Sequence, residues 1–389
     1  MKDFSWQATG AGMLAAFVGC ASTFTVIVRG LLAVGATQAQ AASGLMTVLV
    51  LMGLCGLLLT WRLRQPISVV WSTPAAALLA SSSAPVGGFP AAVGAFVVTG
   101  LLIVLAGRWR LLGRAVAAIP PALASAMLAG ILLSLCEAPV RAVAAFPGAG
   151  LCIVITWALV ARLRRLLAVP AAVLVASVAV FATTHVSAQA MGPLWQLPVL
   201  ITPSFSLAAA IGIGLPLFVV TMASQNIPGF AVLGVHGYHP QPGPVFTATG
   251  ILSVLGAPFG GMAMNLAAIT ASMCAGPDAH PDPARRYWAG ISASLLYVLF
   301  GFGATAATGF ISVAPPVLIE AVAGLALLGA FGGSLMQAMH EPRDREAAAV
   351  TFLVTGSGVG FFGISGAFWG LLAGSAMLAL MRWRGPRHR

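Results

Sequence analysis

The sequence predicts an all-α polytopic membrane protein of about fourteen transmembrane segments in two inverted seven-span repeats. Three observations carry this. Apolar runs long enough to cross a bilayer recur along the whole chain. Basic residues sit between the runs, on one side of them. The second half repeats landmarks of the first in the same order. Composition sets the class: 59% of residues are hydrophobic and 7% are charged, where soluble domains carry about a quarter charged. The runs are continuous and rich in Leu, Ala and Val, without the alternation of a barrel strand.

The first apolar stretch, Ala8 to Val34, is too long for a signal-peptide core and has only Lys2 before it, so it reads as the first span. Later runs are separated by short basic loops. Arg62 and Arg64 follow span 2, Arg108, Arg110 and Arg114 span 4, and Arg162, Arg164 and Arg165 span 6. Arg285 and Arg286 follow span 10, Arg343 and Arg345 span 12, and Arg382, Arg384, Arg387 and Arg389 end the chain. With Lys2 these are 17 of the 19 basic residues. All fall on one side if the spans alternate, which predicts an even span number with both termini cytoplasmic. The formal charge of +11 is thereby assigned to membrane topology, and no nucleic-acid partner is expected. Arg29 and Arg141 break the pattern near outer helix ends, where a long side chain reaches the interface.

Cys20, Cys55, Cys136, Cys152 and Cys274 stand singly in apolar runs, without disulfide or zinc spacing. Lys2 is the single lysine, which excludes a phosphate-binding Walker loop and a lysine Schiff base. No enzyme, cofactor or metal site is expected. His236 and His239 fall in a Gly- and Pro-rich loop with no third ligand.

Ala21-Ser22 matches Ala223-Ser224 at an offset of 202, and Gly35 matches Gly237 at the same offset. Pro66 matches Pro258 at 192, and Pro120-Pro121 matches Pro315-Pro316 at 195. These delimit repeats of about 8–190 and 204–384. Seven spans are an odd number, so the second repeat enters from the opposite side, the arrangement of secondary transporters.

Each repeat has one anomalous crossing. Pro66 to Trp71 is short and β-branched, and Ser72-Thr73-Pro74 then signals a helix start. The following run to Ala80 is too short to span, which predicts an extended segment to mid-membrane and a half-helix. In the second repeat Pro258 to Ala263 is expected to be extended, with the half-helix beginning at Met264-Asn265 and Leu266 and running through Thr270 to Cys274. At the 192 offset Asn265 aligns with Thr73. Unwound backbone at that depth is tolerated only against protein or a cavity, so the two half-helix N-termini are expected to converge. Their partial positive charges favour an anion, and spans 3, 8 and 10 contain no Arg or Lys to do so.

Span 8 adds Ser224, Gln225 and Asn226 within an apolar helix, an expensive cluster unless it faces a cavity or partner. Ser224 and Gln225 are assigned to the ligand and Asn226 to a bond with a neighbouring helix. Ser22 and Thr23 occupy the matching place in span 1. Glu320, early in span 12, is the candidate proton relay.

WSTPAAALLA, LPLFVVTMASQN, NLAAIT and GAFWGLLAG resemble the bacterial benzoate/proton symporter family, and the likeness runs over essentially the whole chain. That family is similar in turn to the uracil-permease type of fold. The resemblance implies a core domain of residues 8–114 and 204–308, moving against a gate domain of 115–190 and 314–384. It implies a substrate site between spans 3 and 10, bordered by spans 1 and 8, for benzoate or a close aromatic carboxylate, with a proton as co-substrate. It also implies a bacterial inner (plasma) membrane location among lipids, and a homodimer through the gate. Nucleobase permeases carry glutamates where this chain has Gln225 and Met262, which argues against a nucleobase. An anion uniporter or exchanger of the sulfate-carrier type, or a passive channel, is the alternative.

Overall fold

The computed structural model describes residues 4–109, 120–164, 167–183, 193–267, 269–361 and 366–382. The first half runs α1 (Trp6–Ala33), α2 (Gln38–Leu63), β1 (Val69–Trp71), α3 (Thr73–Ala80), α4 (Gly88–Arg108), α5 (Pro121–Cys136), α6 (Ala138–Ala145), α7 (Pro147–Leu163) and α8 (Ala168–Thr183). The second half opens on a long broken helix, α9 (Leu207–Val235). It continues with α10 (Pro242–Gly256), β2 (Met264–Leu266), α11 (Ile269–Ala275), α12 (Tyr287–Phe302), α13 (Ala304–Val313), α14 (Pro316–Ala338), α15 (Arg345–Gly356) and α16 (Gly366–Arg382).

Among the described residues, six helices are long and apolar enough to cross a membrane: α1, α2, α4, the continuous α5–α6 stretch, α9 and α14. A seventh is reached if Pro283–Phe302 and Ala304–Val313 are one span bent by 58°. A 30 Å hydrocarbon core needs about 20 helical residues, so α7, α8 and α16, at 17, 16 and 17 residues, are shorter than a full upright crossing. The chain is thus a mostly helical, multi-span membrane protein. The short amphipathic α6 and the bent-off α13 are helices that hydropathy did not separate from the spans beside them.

The landmark glycines of the two halves do the same work. Gly35 ends α1 at φ 96° and Gly237 ends α9 at φ 82°. In each case the next residue donates back five positions, Ala36 N to Leu31 O at 3.1 Å and Tyr238 N to Leu233 O at 2.9 Å. This is a helix stop that a residue without Cβ enters at no steric cost.

Two sets of helices pack most closely within themselves. In one, α2 lies along α12, α4 along α10, and α1 along α3, α11 and α12. In the other, α5 lies along α14 and α15, α15 along α16, and α7 along α8. The sets meet where α1 touches α8 and α14, α3 touches α5, and α9 touches α5 and α16. Most of α7 is exposed, with only Gly150 and Ile153 buried.

The second crossover departs from the sequence expectation. Pro258 does not open an extended run: Ala257–Phe259 is a 3₁₀ turn, and Gly260 reverses the chain at φ 82°. The chain passes so close to α2 that a Cβ on Gly44 would collide with the Gly260 carbonyl. Met264, Asn265 and Leu266 form a strand rather than a helix start, and α11 begins at Ile269. The reason is pairing. β2 runs antiparallel to β1 with Val69 opposite Leu266, Val70 opposite Asn265 and Trp71 opposite Met264, and that ladder satisfies backbone groups that would otherwise be bare inside a membrane. Asn265 therefore corresponds to Val70 and not to Thr73.

Candidate functional site

The β1–β2 pair is where the candidate residues collect. On the first side Ser72 is the N-cap of α3. Its Oγ accepts from Ala75 N at 3.3 Å, and Pro74 occupies the first turn, as the hydroxyl-then-proline pattern requires. Ser72 and Pro74 are buried, whereas Thr73 is half-buried. Trp71 Nε1 donates to Thr23 Oγ1 at 2.9 Å, and Thr23 itself donates to Gly19 O at 2.9 Å. Thr23 is thus held between its own helix and the end of β1, a link that pins α1 to the crossover. The side chain of Ser22 lies outside the described residues.

On the second side Met264, Asn265 and Leu266 are all buried. Asn265 Nδ2 donates to Leu266 O at 2.6 Å, while its Oδ1 is buried without a hydrogen-bond partner. Asn226 Oδ1 accepts from Leu266 N at 2.9 Å, so Asn226 serves the strand β2 and not a neighbouring helix. Behind the strands, Ser68 Oγ donates to Thr270 Oγ1 at 3.0 Å, which ties the first crossover to α11.

The middle of α9 is irregular for a stated reason. Ala210–Gly214 and Met222–Asn226 are π turns, and each is followed two residues later by a proline, Pro216 and Pro228. Proline cannot donate to the carbonyl four residues back, and the widened turn absorbs the lost bond. The second π turn carries Ser224, whose hydroxyl bonds Val220 O at 2.5 Å, and Gln225. Gln225 is half-buried, like Thr73.

Glu320 is not part of this gathering. It pairs with Arg29, six residues along α1 from Thr23 and so about 9 Å further up the helix. The pair joins the two charges that hydropathy treated separately; their opposite sign, each a turn inside an apolar helix, was the available signal. Arg141, the other exception to the charge pattern, donates to the Ser134 carbonyl beside it.

Sequence reasoning missed one structural cation. Arg286 is 7% exposed and donates to His280 O at 2.7 Å, Ala275 O at 2.8 Å and Pro281 O at 3.2 Å. It closes the C-terminus of α11, where free carbonyls and the helix dipole favour a cation. Nearby, Tyr238 donates to Pro283 O at 2.8 Å. Burial pushes the Tyr238 phenol above its ordinary range, with Arg286 pulling the other way. Arg286 was counted only as a loop charge.

A cavity of about 280 Å³ lies off the strand pair at the far end of α3. It is lined by Leu78 and Ser82, by Ile131 of α5 and Gly212 of α9, and by Thr355 and Gly366 of the last two helices. None of the candidate site residues lines it.

The model of one protein family, described as benzoate membrane transport protein (BenE), matches residues 2–380. The chain belongs to the BenE family. It is a membrane transporter and not an enzyme. The chain is 42% identical over 383 residues to the inner membrane protein YdcO of Escherichia coli (strain K12), covering 97% of each. It is 31% identical over 378 residues to the benzoate membrane transport protein of Acinetobacter baylyi (strain ATCC 33305 / BD413 / ADP1), covering 96% of this chain and 94% of that one. Among solved structures, the transmembrane domain of the cyanobacterial bicarbonate transporter BicA superposes with a TM-score of 0.60 at 15% identity, covering 96% and 98% of the two chains. The murine anion transporter Slc26a9, in an inward-facing state, gives 0.61 at 14% identity over 98% of this chain and 68% of that one. These two likenesses identify the fold of this BenE member and carry no substrate.

Proposed function

We propose that this chain is a secondary active transporter that imports benzoate or a close aromatic carboxylate together with a proton. Fourteen spans in two inverted repeats of seven would form a core (8–114 and 204–308) that shifts against a gate (115–190 and 314–384). The chain would sit in a bacterial inner membrane with both termini cytoplasmic. The observation that carries the reading is the paired crossover: two strands close on each other inside the helical bundle, each followed at once by a half-length helix. Thr73 and Gln225, both half-buried polar groups, stand beside it. Family membership and the benzoate name of the 31% relative support the substrate class.

In this reading the carboxylate sits near the start of α3, held by Thr73 and the free end of the helix, with Gln225 and Ser224 on the opposing wall. Ser22, Thr23, Ser72, Pro74, Met264, Asn265 and Leu266 shape the site around the ring. Helix dipoles and amides supply the counter-charge in place of an Arg or Lys, which leaves the substrate weakly enough held to be released. The proton is assigned to Glu320.

Uptake of labelled benzoate into proteoliposomes under an imposed inward proton gradient is the test. Accumulation above a gradient-free control is expected, and none would sink the proposal. Accumulation indifferent to pH gradient would turn the reading into uniport or exchange, and unsaturable flux without uphill accumulation into a channel. Asn265→Ala and Gln225→Ala are expected to weaken binding. Glu320→Gln with unchanged gradient-driven accumulation would remove that residue as the proton carrier.

A further inference from the structure

Arg29 and Glu320 form a direct ion pair from α1 to α14. The two helices belong to different sets: α1 packs on α3, α11 and α12, whereas α14 packs on α5, α6 and α8. Every other side-chain hydrogen bond described above stays within one set. Thr23 to Trp71, Ser68 to Thr270, Asn226 to Leu266 and Arg286 to its three carbonyls all lie in the first set, and Arg141 to Ser134 lies in the second. The Arg29–Glu320 pair is a polar tie across the seam between them.

Its position on the seam is informative. A Cβ placed on Gly30 would lie 2.7 Å from Ala76 O and 3.1 Å from Leu79 Cβ, so α1 packs at Gly30 on the C-terminal half of α3 and the neighbouring Arg29 stands at that level. The 280 Å³ cavity opens at that same end, between Leu78 and Ser82 of the first set and Ile131, Thr355 and Gly366 of the second. At one end of the molecule the sets therefore stand apart on one flank and are tied on the other. Both charged side chains are largely withdrawn from solvent, 29% and 24% exposed. An unpaired charge a turn inside an apolar helix is costly in a bilayer, so each residue needs the other while the helices are in contact.

We propose that the Arg29–Glu320 pair is a latch that holds the two helix sets together at the cavity end and must part each time they move past one another. The latch rests on the core-against-gate reading above. The geometry motivates it: a hydrogen-bonded pair holds only within about 3.2 Å between donor and acceptor, and sliding or hinging of packed helix sets beyond the reach of the two side chains separates it. Arg29 and Glu320 are then positioning residues for the transport step, acting on the balance between states without touching the aromatic carboxylate.

The test reads opening directly. A reporter Ser82→Cys is placed at the cavity wall, with the exposed Cys152 replaced by serine, and its labelling by a membrane-impermeant maleimide is timed in proteoliposomes. The same chain without the reporter supplies the background. Arg29→Gln and Glu320→Gln are each expected to speed labelling by at least about threefold, the lower range of coupling between residues in contact. The double exchange Arg29→Glu with Glu320→Arg is expected to return it to within about twofold of the parent. Should a neutral variant fail to purify as a monodisperse protein, Glu320→Asp keeps the charge, withdraws the carboxylate by one methylene and is expected to move labelling the same way by less.

Unchanged labelling in the single variants overturns the latch, and so does a double exchange that fails to recover. Benzoate uptake is measured on the parent in parallel. A parent that takes up no benzoate while labelling responds as described overturns the substrate reading and leaves the latch. A parent that accumulates benzoate while labelling is indifferent to both charges does the reverse.

Discussion

The two crossovers pair with each other as equals, but they are stabilised in different ways. The first passes from β1 to α3 through one residue, Ser72, whose hydroxyl caps the helix it begins. The second follows a 3₁₀ turn and a left-handed Gly260, and its strand is held from outside by the Asn226 side chain on α9. The far ends of the half-helices differ as well. At the end of α3 the hydroxyls of Ser81 and Ser82 bond Leu78 O at 3.0 and 2.7 Å, whereas α11 ends on the buried guanidinium of Arg286. The cap of the first half-helix is thus supplied by the residue beside it, and the strand and helix end of the second by residues 40 and 11 positions away. Local stabilisation survives changes elsewhere, while borrowed stabilisation fails when the lender is altered.

Substitutions can break this contrast, beginning with the largest expected effect. Arg286→Met removes three charge-assisted bonds at the end of α11 and leaves buried carbonyls unpaired, a loss of about 3 kcal/mol. Thermal unfolding in detergent should register it, and a melting point equal to the parent would show that α11 does not depend on its distant cap. Asn226→Leu leaves the buried N–H of Leu266 without its acceptor and is expected to cost about 2 kcal/mol. Because the damage falls on β2, hydrogen exchange should rise at residues 264–266 more than along α3.

Ser72→Ala tests the local cap and is expected to cost about 1 kcal/mol, the usual worth of an N-cap hydroxyl. A loss as large as that of Arg286→Met would erase the distinction between the two sides. Gln225→Ala sharpens it from the other direction. A half-buried amide assigned to ligand should leave the melting temperature of the free protein nearly unchanged, within about 0.5 kcal/mol. Stabilisation by benzoate should weaken about tenfold in apparent affinity, equivalent to 1.4 kcal/mol. A large drop in intrinsic stability would instead make Gln225 a packing residue.

The same contrast explains how far the site was legible before the fold was known. Ser72-Thr73-Pro74 announces a helix start in the chain itself, and α3 begins there. Asn226 was set apart from the ligand, because three consecutive polar residues cannot all face one ligand, but its partner is the strand β2 where a helix was expected. The second half-helix was placed about four residues too early, because Met264-Asn265-Leu266 carries no local mark of being a strand. Its extended form comes from pairing with Val69–Trp71, 195 residues earlier counted from Val69 to Met264. Arg29 and Glu320 were both visible as isolated charges, yet nothing in a linear reading brings residues 291 positions apart into one ion pair.

By itself the sequence determined the membrane environment, the helical class and the cap of α3. These follow from transfer free energies, backbone freedom and hydrogen bonds within a few residues, all of which are written locally. Only the tertiary structure decided that Asn265 lies in a strand, that Arg286 closes a helix, and that Arg29 meets Glu320 across the seam. In each case the bare polar group was plain, but its partner was supplied by a distant part of the chain.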